Sequence, residues 1–293
     1  MSTAQLFAAC IAIWGSTWLA ITFQLGRVAP EASVFYRFLL ASVLIFLWSA
    51  VRRVRMRLTR REHAWIALQG VLMFSASYLC VYYAEQHVVS GLVAVGYSAS
   101  PLLAMLGMRA LFGTAMTRPV IAGSLLGIAG ITLVYWPELA KWRPGGDAAL
   151  GAAFTGLAVV LSSMGSLAAH RNHEHDYPLW PSMAWGMLYG SLFSLAVTLV
   201  LGKPLTFEAT APYILSLLYL SVLGSIVTFA AYLTVMKRVG AARAGYIGVM
   251  TPVVALVISA AFEGFRWHFL TFAGIAVTVL GNGVILRSRG ATG

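Results

Sequence analysis

The feature that most constrains this chain is a series of ten apolar runs, each long enough to cross a bilayer as a helix. A hydrocarbon core of about 30 Å requires about 20 helical residues. The runs cover residues 5–25, 31–51, 63–84, 88–111, 119–137, 148–169, 181–201, 211–236, 242–262 and 268–286. In lipid a helix satisfies its backbone polar groups within its own segment. The sequence therefore predicts an all-α membrane protein with ten transmembrane helices.

Charged residues are few, and they stand mostly at the ends of these runs. They make up 10% of the chain, against roughly 25% in soluble domains, and the formal net charge is +11. With the N-terminus inside, fourteen Lys and Arg residues fall on the inner side and five on the outer side. This bias predicts that both termini are cytoplasmic. Because the basic residues flank spans, they argue against nucleic-acid binding; an anionic-lipid anchor at 52–61 is compatible with this topology.

The two halves of the chain resemble each other. A shift of 151 positions aligns Pro101 with Pro252, and it also aligns three glycine pairs, Gly113/Gly264, Gly123/Gly274 and Gly130/Gly281. Each half has five spans, an odd number, so the second half must enter the membrane in the opposite direction. We therefore predict two inverted five-helix repeats, residues 1–143 and 144–293. This construction is common in secondary transporters that alternate access around a midplane site.

The aligned prolines fall in the middle of their runs, each close to small hydroxylated residues. A proline within a helix removes one hydrogen bond and frees a carbonyl about four residues earlier. In lipid that carbonyl must find a partner or line a cavity. One interpretation is that Pro101 and Pro252 only kink their helices for packing. Their matching positions favour the other, in which two broken helices line a substrate cavity.

Several of these residues resemble the EamA-type branch of the drug/metabolite transporter superfamily. They are Trp14-Gly15-Ser16, Arg37-Phe38, the two mid-span prolines, Gly113, Gly130 and Gly281-Asn282-Gly283. The resemblance covers essentially the whole chain, which is most similar to bacterial exporters of aromatic and other amino acids. It implies an inner-membrane location and a basket of ten helices. Spans 1, 3, 4, 6, 8 and 9 would wall a central cavity, and spans 5 and 10 would support it.

Helical spacing suggests a cavity wall. Tyr78 and Tyr82 are four residues apart and share a helix face. The predicted substrate-binding residues are Trp14, Ser16, Tyr78, Tyr82, Tyr97, Ser98, Pro101, Met164, Ser225, Phe229, Tyr246 and Thr251. Arg37, Gly91, Gly248 and Pro252 are assigned structural or gating roles. The wall would offer rings and hydroxyls but no fixed charge, which suits a zwitterion with an apolar side chain. Alternatively these aromatics pack the bundle or belong to interface belts, above all Tyr82, Tyr83 and Trp136.

Arg37 lies inside the second run, where an arginine costs about 2.5–3.5 kcal/mol on insertion scales. Three explanations stay open. The side chain reaches the near interface, or it pairs with carbonyls at a helix break, or it contacts a substrate carboxylate.

Other chemistry has little support in the sequence. All nine carboxylates and six histidines stand in connections or at the ends of runs, so we expect no proton relay and predict uncoupled, facilitated transport of amino acids. A multidrug or cationic-metabolite exporter and a proton antiporter are the alternatives. No P-loop pattern, nucleophile with its base, or metal shell stands within the runs, so we predict neither an enzyme nor a cofactor or metal. The tract 170–176 is interpreted as a polar loop. The expected partners are the lipid bilayer and the small-molecule substrate, with no obligate protein partner.

Overall fold

The computed structural model describes residues 1–113, 118–139, 146–232, 234–235, 238 and 246–288, and within these ranges the regular structure is helical throughout, without strands. The helices are α1 (Thr3–Thr22), α2 (Pro30–Val51), α3 (Arg60–Glu85), α4 (Ser90–Gly96, a 3₁₀ turn Tyr97–Ala99, and Ser100–Phe112), α5 (Arg118–Leu139), α6 (Asp147–Glu174), α7 (Leu179–Val200), α8 (Ala211–Tyr232), α9 (Tyr246–Phe262) and α10 (Phe269–Ser288). Among the described residues six helices, α1, α2, α3, α6, α7 and α8, are long and apolar enough to cross a membrane. The other four contain shorter apolar helices.

Helix ends follow recognisable signals. Thr59 caps α3 in a reciprocal arrangement with Glu62, in which each side chain accepts from the other residue's backbone N–H. Such a capping box satisfies two donors that the first helical turn leaves free. Pro30 is the first residue of α2, where its missing N–H costs nothing. Gly113 follows α4 with φ +68°, a left-handed conformation that favours glycine.

Two of the described helices contain wide π turns, which no feature of the sequence indicated. They are Leu72–Ala76 in α3 and Tyr219–Val227 in α8. The shift of 151 positions places 72–76 on 223–227, inside the second π segment. In α8 the Ser225 hydroxyl donates to the Leu220 carbonyl at 2.9 Å, five residues back. Wide turns of this kind are rare and often accompany functional sites.

Helices α5 and α10 pack backbone against backbone. A Cβ added to Gly130 would lie 2.6 Å from the Gly274 carbonyl oxygen, and one added to Gly281 would lie 2.5 Å from the Gly123 carbonyl oxygen. The shift of 151 positions aligns Gly123 with Gly274 and Gly130 with Gly281. The two contacts are therefore at equivalent positions of the two halves of the chain. Small residues allow this close approach between helices in lipid.

The two prolines differ in their effect on the helix. Helix α4 is interrupted at Tyr97–Ala99, just before Pro101. There the Ser100 N–H donates to the Tyr97 carbonyl, the group that Pro101 leaves without its α-helical donor. Helix α9 instead stays helical through Pro252. The prediction of two broken helices therefore describes α4 and is wrong for α9.

Helix α6 continues beyond its predicted end at residue 169 and reaches Glu174. The interpretation of 170–176 as a loop is therefore wrong for its first five residues. Here the Arg171 guanidinium lies 4.1 Å above the Trp65 ring, and the Asn172 side-chain amide donates to Gln69 Oε1 at 2.9 Å. These contacts with α3 give the polar residues partners inside the bundle, so the helix need not end where the apolar run ends.

Candidate functional site

Six rings from α1, α3, α4 and α8 form what we call the aromatic wall: Trp14, Trp18, Phe74, Tyr78, Tyr97 and Phe229. Trp18 meets Tyr97 edge to face at 5.1 Å between ring centroids. On the other side, Phe229 makes similar contacts with Trp14 at 5.3 Å and with Phe74 at 5.5 Å. This geometry is favourable for aromatic pairs. All of these residues except Phe74 are partly exposed.

The π segment of α8 supplies polar partners to α1 beside this wall. The indole N–H of Trp14 donates to the Gly224 carbonyl at 3.2 Å. The hydroxyls of Ser16 and Tyr219 lie 2.6 Å apart and share a hydrogen bond. A Cβ on Gly224 would lie 2.8 Å from the Thr17 methyl group, so the absence of a side chain at Gly224 permits the close approach of α1 and α8.

Arg37 lies against the wall with only 1% of its surface exposed. Its Cζ is 4.4 Å from the centre of the Tyr78 ring and 5.0 Å from that of Phe38. Its Nε donates to the Ser225 hydroxyl at 3.4 Å, and the Ser221 hydroxyl donates to its carbonyl at 2.9 Å. The interpretation that Arg37 reaches the membrane interface is therefore wrong. The expectation of a wall without fixed charge is also wrong, because a guanidinium stacks on one of its rings.

Two carboxylates near helix ends are buried, which their sequence positions did not indicate. Glu31, the second residue of α2, is 1% exposed and accepts a hydrogen bond from the Tyr83 hydroxyl. Glu85, the last residue of α3, is 8% exposed, and neither of its carboxylate oxygens has a hydrogen-bond partner among the described residues. Tyr82 is fully enclosed at 0% exposure, so its assignment to an interface belt is wrong.

The remaining predicted residues are placed as follows. Ser98 and Thr251 are buried, and the Thr251 hydroxyl donates to a carbonyl of its own helix at 2.7 Å. Met164 is half exposed, at 50%. The side chains of Pro101 and Tyr246 lie outside the described part of the structure. Among the predicted gating residues, Pro252 is buried, whereas Gly248 is exposed with open space around it.

Gly91 belongs to a polar junction between the start of α4 and the end of α9, which we call the α4–α9 contact. The Gly91 N–H donates to the Ser259 hydroxyl at 2.8 Å. The Ser90 N–H and hydroxyl donate to Glu263 at 3.2 and 2.5 Å, and Ser259 also donates to Glu263. A Cβ on Gly91 would lie 2.8 Å from Ser259 Oγ. The two helices are therefore tightly joined at this end of the bundle.

Comparison with known proteins gives matches over nearly the whole chain. Residues 1–136 and 148–287 match the EamA-like transporter family. The uncharacterized inner membrane transporter YedA of Escherichia coli (strain K12) is 28% identical over 282 residues, which cover 94% of this chain and 87% of YedA. The uncharacterized transporter YdfC of Bacillus subtilis (strain 168) is 23% identical over 275 residues, covering 92% of this chain and 86% of YdfC.

A solved crystal structure shares the fold. It covers 97% of this chain and 96% of its own, with a TM-score of 0.70 and 18% sequence identity. At that identity the likeness concerns the fold alone, and the names of the two relatives specify transport without a substrate.

Proposed function

Because the chain belongs to the EamA-like transporter family, we propose that this multi-pass membrane transporter exports amino acids, both aromatic and other neutral ones, from the bacterial cytoplasm. The observation that carries this proposal is the aromatic wall, whose partly exposed rings stand beside the carbonyl and hydroxyl groups of a π segment. Rings accept an apolar side chain, and a few polar groups fix its orientation. Alternating access around a central cavity would then move the substrate across the membrane.

The architecture that we propose has ten transmembrane helices in two inverted repeats, residues 1–143 and 144–293. Three observations support it. The family match falls into two stretches, one in each half. The π segments of α3 and α8 stand at positions related by the 151-residue shift. The glycine contacts between α5 and α10 exchange under the same shift.

We further propose that both termini are cytoplasmic, because the basic residues favour that side. The α4–α9 contact would then stand at the external face of the membrane. Its hydrogen bonds would close the cavity on that side, and an exporter must break them to release its substrate.

The substrate can be tested with purified protein in liposomes, by counterflow of labelled tryptophan and threonine. The Tyr97 ring meets Trp18 within the wall, so Tyr97→Ala is expected to lower the affinity for tryptophan about two- to tenfold, the worth of one aromatic contact. The effect on threonine should be smaller. Tyr36→Ala is a matched control, because this half-buried tyrosine contacts Phe207 and not the wall. Absence of amino-acid counterflow, or equal effects of both substitutions, would contradict the proposal.

A second candidate function, proton-coupled antiport, is favoured by one observation. The buried carboxylates Glu31 and Glu85 remove part of the reason for proposing uncoupled transport, because buried acids are typical of proton relays in transporters. Uncoupled transport remains our proposal, since both acids stand at helix ends. An imposed pH difference should then leave the final distribution of a zwitterionic substrate unchanged. Accumulation driven by the pH difference alone would establish antiport instead.

A further inference from the structure

Two ionisable side chains, Arg37 on α2 and Glu85 on α3, are buried on neighbouring helices. Arg37 Nη1 on α2 and both carboxylate oxygens of Glu85 on α3 have no hydrogen-bond partner among the described residues, and neither does the Tyr82 hydroxyl. Proteins leave few buried polar atoms without a partner, and each one requires an explanation. The unpartnered atoms of Arg37 and Glu85 point to a group that this chain does not itself provide.

The remaining partners of Arg37 only partly replace water. The guanidinium stacks on Tyr78, and its Nε reaches Ser225. Stacking and one neutral acceptor leave a full positive charge without a counter-ion in contact. Burying a charge without such a partner is costly. The Nη1 group is therefore a donor suited to an anionic oxygen.

Arg37 and Glu85 stand at different levels along α3. Tyr78, Tyr82 and Glu85 follow at spacings of four and three residues, and so they share one face of the helix. Arg37 lies over Tyr78. Tyr82 stands between Tyr78 and Glu85 on that face. Since one helical turn rises about 5.4 Å, Glu85 stands about one turn beyond Tyr82 toward the end of the helix.

Two other acids at this end accept hydrogen bonds, the buried Glu31 through one oxygen only and the half-buried Glu263 through both. Glu31 accepts from the Tyr83 hydroxyl, and Glu263 accepts from Ser90 and Ser259 across the α4–α9 contact. Glu85 is the buried acid for which no described residue offers a donor to either oxygen. An ammonium group that entered this region would therefore meet two carboxyl oxygens of Glu85 that have no other donor among the described residues.

We propose that Arg37 binds the carboxylate and Glu85 binds the ammonium group of a zwitterionic α-amino acid, whose side chain lies on the aromatic wall. This proposal rests on the proposed function and specifies its chemistry. An amine alone would leave Arg37 without a counter-ion, and a carboxylate alone would leave the oxygens of Glu85 without a donor. Only a ligand that carries both charges satisfies both sites.

The test uses three compounds with one ring system: tryptophan, tryptamine, which lacks the carboxylate, and indole-3-propionate, which lacks the ammonium group. In liposomes that contain the full-length wild-type protein, tryptophan should compete with labelled tryptophan at least thirty-fold better than either analogue. Such a loss is typical when one partner of a buried charge pair is removed. Equal competition by tryptamine or indole-3-propionate would overturn the proposal without any variant.

Substitutions at Arg37 and Glu85 should change which of the three compounds binds best. Arg37→Gln is expected to weaken tryptophan about thirty-fold while tryptamine binds at least as well as before, and Glu85→Gln should act in the same way with indole-3-propionate. Arg37→Lys should recover part of the tryptophan binding, because it retains the charge but not the forked geometry. Arg171→Gln is the matched control. Arg171 is also buried and stacked on a ring, but it donates to Asn172 and Tyr177.

The alternative outcomes are distinct. Equal loss of all three compounds in Arg37→Gln would show a structural role and refute the site. Recovery of tryptophan transport in the double variant Arg37→Gln, Glu85→Gln would show that the two charges serve only each other, and would refute it as well. If the wild-type protein moves no amino acid at all, the proposed function fails, and the site fails with it. If the wild-type protein transports amino acids but the substitutions do not change which compound binds best, the proposed site is refuted and the proposed function is not.

Discussion

Removing the Ser259 hydroxyl is expected to open the α4–α9 contact. This hydroxyl accepts from the buried Gly91 N–H at 2.8 Å, while it and the Ser90 hydroxyl each donate to Glu263. Ser259→Ala therefore removes this hydrogen bond between the helices and leaves the buried Gly91 N–H without an acceptor, which costs about 1–3 kcal/mol. The closed arrangement should lose about 2 kcal/mol. Since about 1.4 kcal/mol corresponds to a factor of ten, the ratio of open to closed molecules should rise about thirty-fold.

A cysteine reporter measures this opening. Leu256 is 0% exposed, and its Cα would be 3.1 Å from a Cβ on Gly91, so a Leu256→Cys thiol is covered while the contact is closed. We expect a maleimide to label this reporter about thirty-fold faster in the Ser259→Ala background, measured in detergent so that membrane sidedness plays no part. The native thiols Cys10 and Cys80 are buried and are replaced by alanine in both proteins.

Ser194→Ala is the control for a general loss of stability. Ser194 is also 0% exposed, and its hydroxyl shares a hydrogen bond with Ser75 at 2.5 Å between α7 and α3. Its removal should leave the labelling rate at Leu256→Cys unchanged. Equal labelling rates at Leu256→Cys with and without Ser259→Ala would refute the idea that the hydrogen bond between Gly91 and Ser259 holds α4 to α9.

Three further predictions concern the scaffold, the prolines and the topology. Gly130→Ala should lower the melting temperature in detergent, because its Cβ would lie 2.6 Å from a carbonyl oxygen of α10 and such overpacking costs about 1–3 kcal/mol; Gly127→Ala has open space and should leave the melting temperature unchanged. Pro101→Ala should reduce transport per folded molecule more than Pro252→Ala, since only α4 is interrupted at its proline, and near-normal rates in both would remove the prolines from the mechanism. Cysteines placed at 52–61 should resist an impermeant thiol reagent applied to intact cells, and rapid labelling would reverse the proposed topology.

Apolar runs predict helix positions well because the lipid imposes a minimum length on each span. The seventh run, 181–201, corresponds closely to α7, Leu179–Val200. The prediction fails at the end of α6, which extends five residues further. Arg171 and Asn172 find partners on α3 there. The hydropathy of a segment contains no information about such partners, since they come from a different part of the chain.

The site was harder to predict for the same reason. Four rings of the wall, Trp14, Tyr78, Tyr97 and Phe229, were among the predicted site residues, whereas Trp18 and Phe74 were not. The π segments were not predicted either, because nothing in the local sequence distinguishes Leu72–Ala76 from an ordinary helix. The side-chain environment of Glu85 was also hidden. Its sequence position at the end of a run suggests an exposed acid, whereas the surrounding helices bury it. Burial of a charge at a helix end depends on which helices cover it, and that is decided by the tertiary fold.

The α5–α10 and α4–α9 contacts differ in how easily their two helices can separate. At α5–α10, glycines bring backbone atoms into direct contact, so displacement of one helix along the other would create clashes or voids over several turns. At α4–α9, Ser90, Gly91, Ser259 and Glu263 hold the ends together by a few hydrogen bonds. Such bonds can be exchanged for bonds to water at little net cost. An alternating-access transporter with this fold should therefore keep α5 and α10 fixed while α4 and α9 separate, and the 3₁₀ turn at Tyr97–Ala99 is the point where α4 can bend.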